Sequence, residues 1–298
     1  MKIGFSLPQF GGQAHQAALI PRYARELEEA GVHSLWAADR LLAPVNPTVG
    51  YAGTDTIPEI FNSVLDPFVM LALAAAATGR VRLGTSVINA PFYQPALLAR
   101  LLTSIDTASN GRLTAGFGIG WSPEEYRAVA VPFDHRGARL DETLDALEEI
   151  WTSDQPGYSG RYVTVPEFRN RLHSTQQPHI PVYLAGFAEP ALKRTVRRAA
   201  GWLPVMRVGT MGPEAVLGNL RNLHRVAEEA GRDPSTIDVV LRVSSSAGTP
   251  LPQIAAAALD TAGRTGIEEF FFDLAYLSDT IESALEQAHE LLKLVDAG

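Results

Sequence analysis

The chain has 298 residues, no cysteine, and 25 basic against 33 acidic side chains for a net charge of −8. That balance argues against nucleic acid or an anionic membrane as partner, and a chain without cysteine has no disulfide, thiolate metal site or thiol nucleophile. The length exceeds a usual domain but suits an α/β barrel, which can bury roughly three quarters of its unfolded surface without staples.

The opening Met1-Lys-Ile-Gly-Phe-Ser-Leu-Pro8 enters a strand without the long apolar run of a secretory signal, so the expected location is cytoplasmic. A first strand, Ile3–Leu7, stops at Pro8. Ile20, Ala24 and Leu27 recur at helical spacing, and Gly31 closes that helix. Ser34–Ala37 is a second strand, ending in Ala38-Asp39-Arg40. The stretch 41–66, with prolines 44, 47 and 58 and glycines 50 and 53, reads as a lid or binding loop. Pro67 opens an apolar helix to about Thr78, too short to cross a bilayer. Arg82–Asn89 is the third strand; it ends at Asn-Ala-Pro because proline has no amide to donate. Small residues inside this buried strand make it a candidate floor for a flat cofactor.

A helix over Gln94–Ser109 leads to a fourth strand, Leu113–Phe117, which runs into Gly118-Ile119-Gly120-Trp121. Arg136–Thr152 carries an apolar stripe of Leu140, Leu144, Leu147 and Trp151 opposite acidic residues. Residues 153–180 read as an irregular excursion. The fifth strand is Val182–Ala185, followed by a basic helix over Pro190–Ala200; the sixth is Trp202–Val205, followed by Pro213–Ala230. Ile237–Val243 and the helix Leu251–Thr265 come next, then Glu269–Asp273 and a final helix, Ser278–Val295. Eight strands alternating with eight helices demand parallel pairing. The expectation is one domain spanning 1–298, a closed (β/α)8 TIM barrel with an irregular insertion after helix 4.

In such a barrel the site lies at the C-terminal ends of the strands. Asp39 at the second strand's end can hydrogen-bond a ligand or shuttle a proton, with Arg40 beside it; a structural Asp–Arg pair on the rim is the alternative. Gly116-Phe-Gly118-Ile-Gly120 lacks dinucleotide spacing, and its glycines would let backbone approach a flat ligand. Gly186-Phe187-Ala188-Glu189-Pro190 turns a strand into a helix whose open amides suit an anion, although Glu189 opposes one by charge. Lys193, Arg194, Arg197 and Arg198 either reach a polyanionic tail or, the favoured reading, form a solvated face. Seven scattered histidines give neither a metal site nor a Ser-His-Asp nucleophile. His135 reads as a helix-entry residue, and Ser244-Ser245-Ser246 as a phosphate site or polar rim.

The order and spacing of His33-Ser-Leu-Trp-Ala-Ala-Asp39-Arg40, Arg82-Leu-Gly-Thr-Ser-Val-Ile-Asn89, Gly116-Phe-Gly-Ile-Gly-Trp121-Ser-Pro-Glu-Glu-Tyr126, Arg136-Gly-Ala-Arg-Leu-Asp-Glu142 and Pro181-Val-Tyr-Leu-Ala-Gly186 resemble the luciferase-like flavin-dependent barrels. Within them the chain is similar to the branch that uses the deazaflavin coenzyme F420, over nearly its whole length. The resemblance implies a non-proline cis peptide at Ser86–Val87 against the cofactor ring, Asn89 at the ring's polar edge and Asp39 near the reacting face. It places Gly118 and Gly120 close to the cofactor, and Gly186, Phe187 and Ala188 on its phosphate, with Asp39 and Arg40 as catalytic candidates and no metal. Arg40 stands where relatives often carry His, and Trp121 where some carry a catalytic Glu.

The implied activity is F420-dependent hydride transfer to or from an unidentified organic small molecule. The same fold also serves FMN-dependent two-component monooxygenases and non-catalytic flavin-binding or structural homodimers. Tyr51, Ile57 and Phe61 of the lid, with Trp121 and Tyr126, imply an apolar or aromatic substrate pocket. Relatives dimerise through the region corresponding to Phe68–Ala77 and Leu97–Leu102, so a homodimer is expected.

Overall fold

The structure, a computed structural model, describes residues 1–297. In chain order β1 (Lys2–Ser6) is followed by α1 (Ile20–Glu29), β2 (Ser34–Ala37), α2 (Pro67–Ala77), β3 (Arg82–Thr85), β4 (Ile88–Asn89), α3 (Pro95–Ala108) and β5 (Leu113–Gly118). Next come α4 (Pro123–Ala128), α5 (Arg136–Thr152), β6 (Tyr158–Ser159), β7 (Thr164–Val165), β8 (Val182–Leu184), α6 (Glu189–Arg198), β9 (Gly201–Trp202) and β10 (Val205–Arg207). The chain finishes with α7 (Pro213–Glu229), β11 (Asp238–Ser244), α8 (Leu251–Thr265), β12 (Glu269–Phe272) and α9 (Ile281–Asp296).

All barrel pairings are parallel, in the order β10-β11-β12-β1-β2-β3-β5-β8-β9. Pairing of β9 with β11 closes the ring, giving the (β/α)8 barrel expected from the alternation. Two staves depart from the single strands expected. Arg82–Asn89 is split into β3 and β4 by the cis Ser86–Val87 peptide. Ser86 N still donates to Ala37 O at 2.7 Å, after which the chain changes partner and β4 pairs only with β5. The stretch expected as Trp202–Val205 is likewise two pieces, since Pro204 has no amide for the ladder and β10 runs on to Arg207.

The core has two parts. Trp36, Tyr183, Leu203, Val240 and Phe271 fill the barrel interior, with Trp36 stacked on Phe271 at 5.1 Å between ring centroids. Alternate residues of the same strands, among them Phe5, Leu35, Phe270 and Phe272, face the surrounding helices. Trp36 dictates its neighbour: a Cβ at position 84 would lie 2.3 Å from the indole, so Gly84 is the residue that fits.

The insertion of residues 153–181 after the fourth barrel helix is mostly irregular, but it contains the short β6–β7 hairpin. Buried or half-buried carboxylates pin it. Glu142 accepts from the amides of Arg161, Tyr162 and Val163, and Asp106 from those of Thr175 and Gln176. No helix among the described residues is long and apolar enough to cross a membrane.

Candidate active site

The C-terminal mouth of the barrel gathers Asp39 and Arg40 just past β2, the Ser86–Asn89 bulge, the end of β5, Arg207 from β10 and the pair of half-buried Arg242 on β11 and buried Asp273 just past β12. A small cavity lined by Ser6, Gln9, Ala38, Ser86, Arg242 and Asp273 opens among them.

Asp39 is solvated by the protein. The Asn89 amide donates to its Oδ2 at 2.9 Å and the Tyr93 hydroxyl to its Oδ1 at 3.2 Å. Burial outweighs both bonds and pushes the carboxyl up to about 7. The segment from Ser86 to Tyr93 therefore both forms the bulge and supplies the partners of Asp39.

Arg40 does not pair with Asp39, which removes the reading of a structural Asp–Arg couple on the rim. Its Nη1 lies 3.3 Å from Oε2 of Glu125, with side-chain exposures of 5% and 0%. The guanidinium stacks on Trp121 at 4.3 Å and on Phe61 at 5.1 Å. Burial pulls the Arg40 guanidinium down and pushes the Glu125 carboxyl up, while each charge supports the other.

Glu125 was not singled out from sequence, and neither was its helix. The signal was present: Ser122-Pro123-Glu124-Glu125 is an N-cap, a proline and two acidic residues in a first turn. That turn holds the lid. Glu125 Oε1 accepts from the amides of Leu41 at 2.7 Å and Leu42 at 3.3 Å. Glu124 accepts from the Thr48 hydroxyl at 2.6 Å, and its hydrogen bonds, led by that one, hold its carboxyl at about 2. Over the mouth, Tyr51 packs against Phe61 at 5.0 Å and Trp121 at 5.7 Å, with the Arg207 guanidinium 5.5 Å from its ring.

Gly116 and Gly118 lie hard against the neighbouring stave. A Cβ at 116 would meet the Thr85 carbonyl at 1.9 Å, and one at 118 would meet Val87 at 2.7 Å. These glycines make room for the adjacent bulged stave. Gly120, at φ +65°, turns the chain beside the Asn89 side chain.

At the end of β8, the Gly186 carbonyl accepts from Trp202 Nε1 at 3.0 Å. The amides of Phe187 and Ala188 donate to no acceptor among the described residues. The basic run of α6 divides: Lys193 and Arg197, 60% and 62% exposed, form a solvated face as favoured, whereas Arg194 and Arg198 turn towards α5. Arg194 donates to both oxygens of Asp141, at 2.8 and 2.9 Å, Arg198 pairs with Asp145, and Lys193 pairs with Glu189 at 2.7 Å. The arginine pairs dock α6 on α5, whereas Lys193–Glu189 lies within α6. His135 stands at the N-cap of α5.

A family model for luciferase-like monooxygenases matches residues 1–294. The chain belongs to this family. It is thereby an enzyme of the luciferase-like class, built on that class's TIM barrel. An uncharacterized protein of Mycobacterium tuberculosis is 33% identical over 192 residues, covering 62% of this chain and 66% of that one. The F420-dependent glucose-6-phosphate dehydrogenase of Amycolatopsis mediterranei is 29% identical over 214 residues, covering 68% of this chain and 57% of its own. The chain thus spans just under two thirds of the length of the first relative and less of the second. In solved structures the fold matches the monooxygenase RslO1 from Streptomyces bottropensis, with a TM-score of 0.77 at 21% identity over 98% of this chain and 97% of that one.

Proposed function

We propose that the protein is an F420-dependent oxidoreductase that moves a hydride between the deazaflavin and an organic small molecule. The observation that carries the proposal is Asp39: a carboxyl at the barrel mouth, fixed by Asn89 and Tyr93 and raised to about 7, beside the bulged Ser86–Val87 segment. The groups around it suit a flat ring with an anionic tail. Ser86 and Val87 offer a floor, Asn89 a polar edge, Gly118 and Gly120 a narrow wall, and the open amides of Phe187 and Ala188 an anion seat beside Gly186. Similarity to an enzyme named for F420 favours the deazaflavin over FMN.

When bound, the cofactor would supply the hydride chemistry. The chain supplies the rest. Asp39, half protonated near neutral pH, can hold or accept a proton at its Oδ atoms. Arg40, stacked between Phe61 and Trp121, sets a fixed positive charge beside the reacting space. The lid, tied down by Glu124 and Glu125, excludes water. We assign the protein to the cytoplasm on its cysteine-free composition. We also propose a homodimer through α2 and α3, which pack together and expose Val69 (53%) and Leu97 (41%).

The test is a parallel titration of the purified protein with F420 and FMN, followed by absorbance and fluorescence. Micromolar or tighter F420 binding with weaker FMN binding is expected. Preference for FMN would move the reading to a two-component monooxygenase, and binding of neither overturns it.

A further inference from the structure

Arg40 has the least exposed side chain of the paired cations at the mouth, and three of its five N–H donors are unused. Its Nη1 faces Glu125, but Nε and Nη2 are buried without a hydrogen-bond partner. Those two nitrogens share one edge of the guanidinium, the edge that meets both oxygens of a carboxylate side by side. Leaving such donors unsatisfied in a buried site is costly, and an incoming pair of acceptor oxygens offsets that cost. The Tyr276 hydroxyl, beside Tyr51, is also buried without a hydrogen bond of good geometry.

The surroundings of the guanidinium are aromatic. Trp121 and Phe61 cover the guanidinium, and Tyr51 packs on both. The local charge balance favours an anion although the chain as a whole is at −8. Arg40 is matched by Glu125 and Arg242 by Asp273, whereas Arg207 faces Tyr51 with no ion-pair partner among the described residues. Asp39 contributes less than a full negative charge at neutral pH.

We propose that the substrate is a carboxylic acid with a planar apolar or aromatic body, and that Arg40 is its specificity-determining residue. The carboxylate docks on the Nε/Nη2 edge while Nη1 remains on Glu125, and the apolar body displaces the Tyr51 side of the lid. Arg207 adds a second positive charge at the entrance. The inference rests on the oxidoreductase reading, since it names the substrate class of the same site.

The experiment is calorimetric titration of the protein, with and without F420, using 2-naphthoate, 2-naphthamide and 2-naphthyl phosphate. Wild type is expected to bind the carboxylate about 10-fold or more tightly than the amide, and more tightly than the phosphate. Arg40→Lys keeps a charge opposite Glu125 but loses the planar fork, so the carboxylate-to-amide ratio should fall to about 2-fold or less while F420 affinity holds. Glu125→Gln, which removes the competing charge, should tighten the carboxylate. Equal binding of acid and amide by wild type, tighter binding of the phosphate, or an undiminished ratio in Arg40→Lys overturns the proposal. Because F420 affinity is read in the same samples, wild type that binds F420 without preferring the carboxylate refutes this inference alone, whereas wild type that fails to bind F420 refutes the deazaflavin reading.

Discussion

The two ends of the barrel both carry polar clusters, and they use them in opposite ways. At the N-terminal end, a cavity of about 590 Å³ is lined by His33, Arg82, Thr114, Tyr183, Asp238 and Glu269, among others. There the side chains satisfy one another. Tyr183 donates to Asp238 at 2.6 Å, Arg82 to Thr114 at 2.9 Å, Ser34 to Glu269 at 3.2 Å, and Trp36 Nε1 to Ser34 at 2.9 Å. At the C-terminal end a carboxyl is held near neutrality and a buried guanidinium keeps two donors idle. A closed network stabilises the fold, whereas uncommitted groups in a buried place await a ligand. The larger cavity is therefore the structural one.

The sharpest challenge to this contrast is Glu125→Ala. It leaves Arg40 as a buried, unpaired charge and releases the amides of Leu41 and Leu42, so a loss of about 3–5 kcal/mol is expected in urea unfolding. A change below about 1 kcal/mol would mean that water already serves the pair.

Asp39 gives the next largest effect, read as pH dependence. Its folded value, about 7, lies above the ordinary carboxyl value of about 4, so between those limits the folded state holds a proton that the unfolded chain has released. Its contribution to stability is thus greatest below about pH 4 and declines as pH rises through 7. Asp39→Asn should lack that decline and gain on wild type between pH 4 and 8 in thermal melts. Parallel curves for the two proteins would show that Asp39 titrates normally.

The smallest effect is expected at the other end. Tyr183→Phe removes one hydrogen bond to an exposed carboxylate and should cost about 1 kcal/mol, with F420 affinity unchanged. A weakened cofactor affinity would break the division between a structural end and a functional one.

Local pattern carried much of this protein. The apolar stripe of α5 marks it as a helix, and the expected ranges of α5 and α8 match the structure residue for residue. Alternation of strand and helix fixed the barrel, because parallel neighbours require a crossover each time. Position at strand ends singled out Asp39, and glycine spacing drew attention to the end of β5. Partnership was another matter. Nothing local says that Arg40 meets Glu125, 85 positions on, rather than the adjacent Asp39; both lie beyond the end of β2, where no strand alternation assigns their faces, and the α4 turn brings Glu125 in from elsewhere. Likewise, Gly116 and Gly118 are legible as sites of close approach, but only the neighbouring stave shows that Thr85 and Val87 make the approach. Arg194 and Arg198 of α6 look solvated until α5 is packed against them with Asp141 and Asp145. Sequence periodicity records which face each element buries, because burial acts on every residue singly. Which charges meet, and which donors are left over, depends on distances between elements far apart in the chain, and those exist only once the barrel has closed.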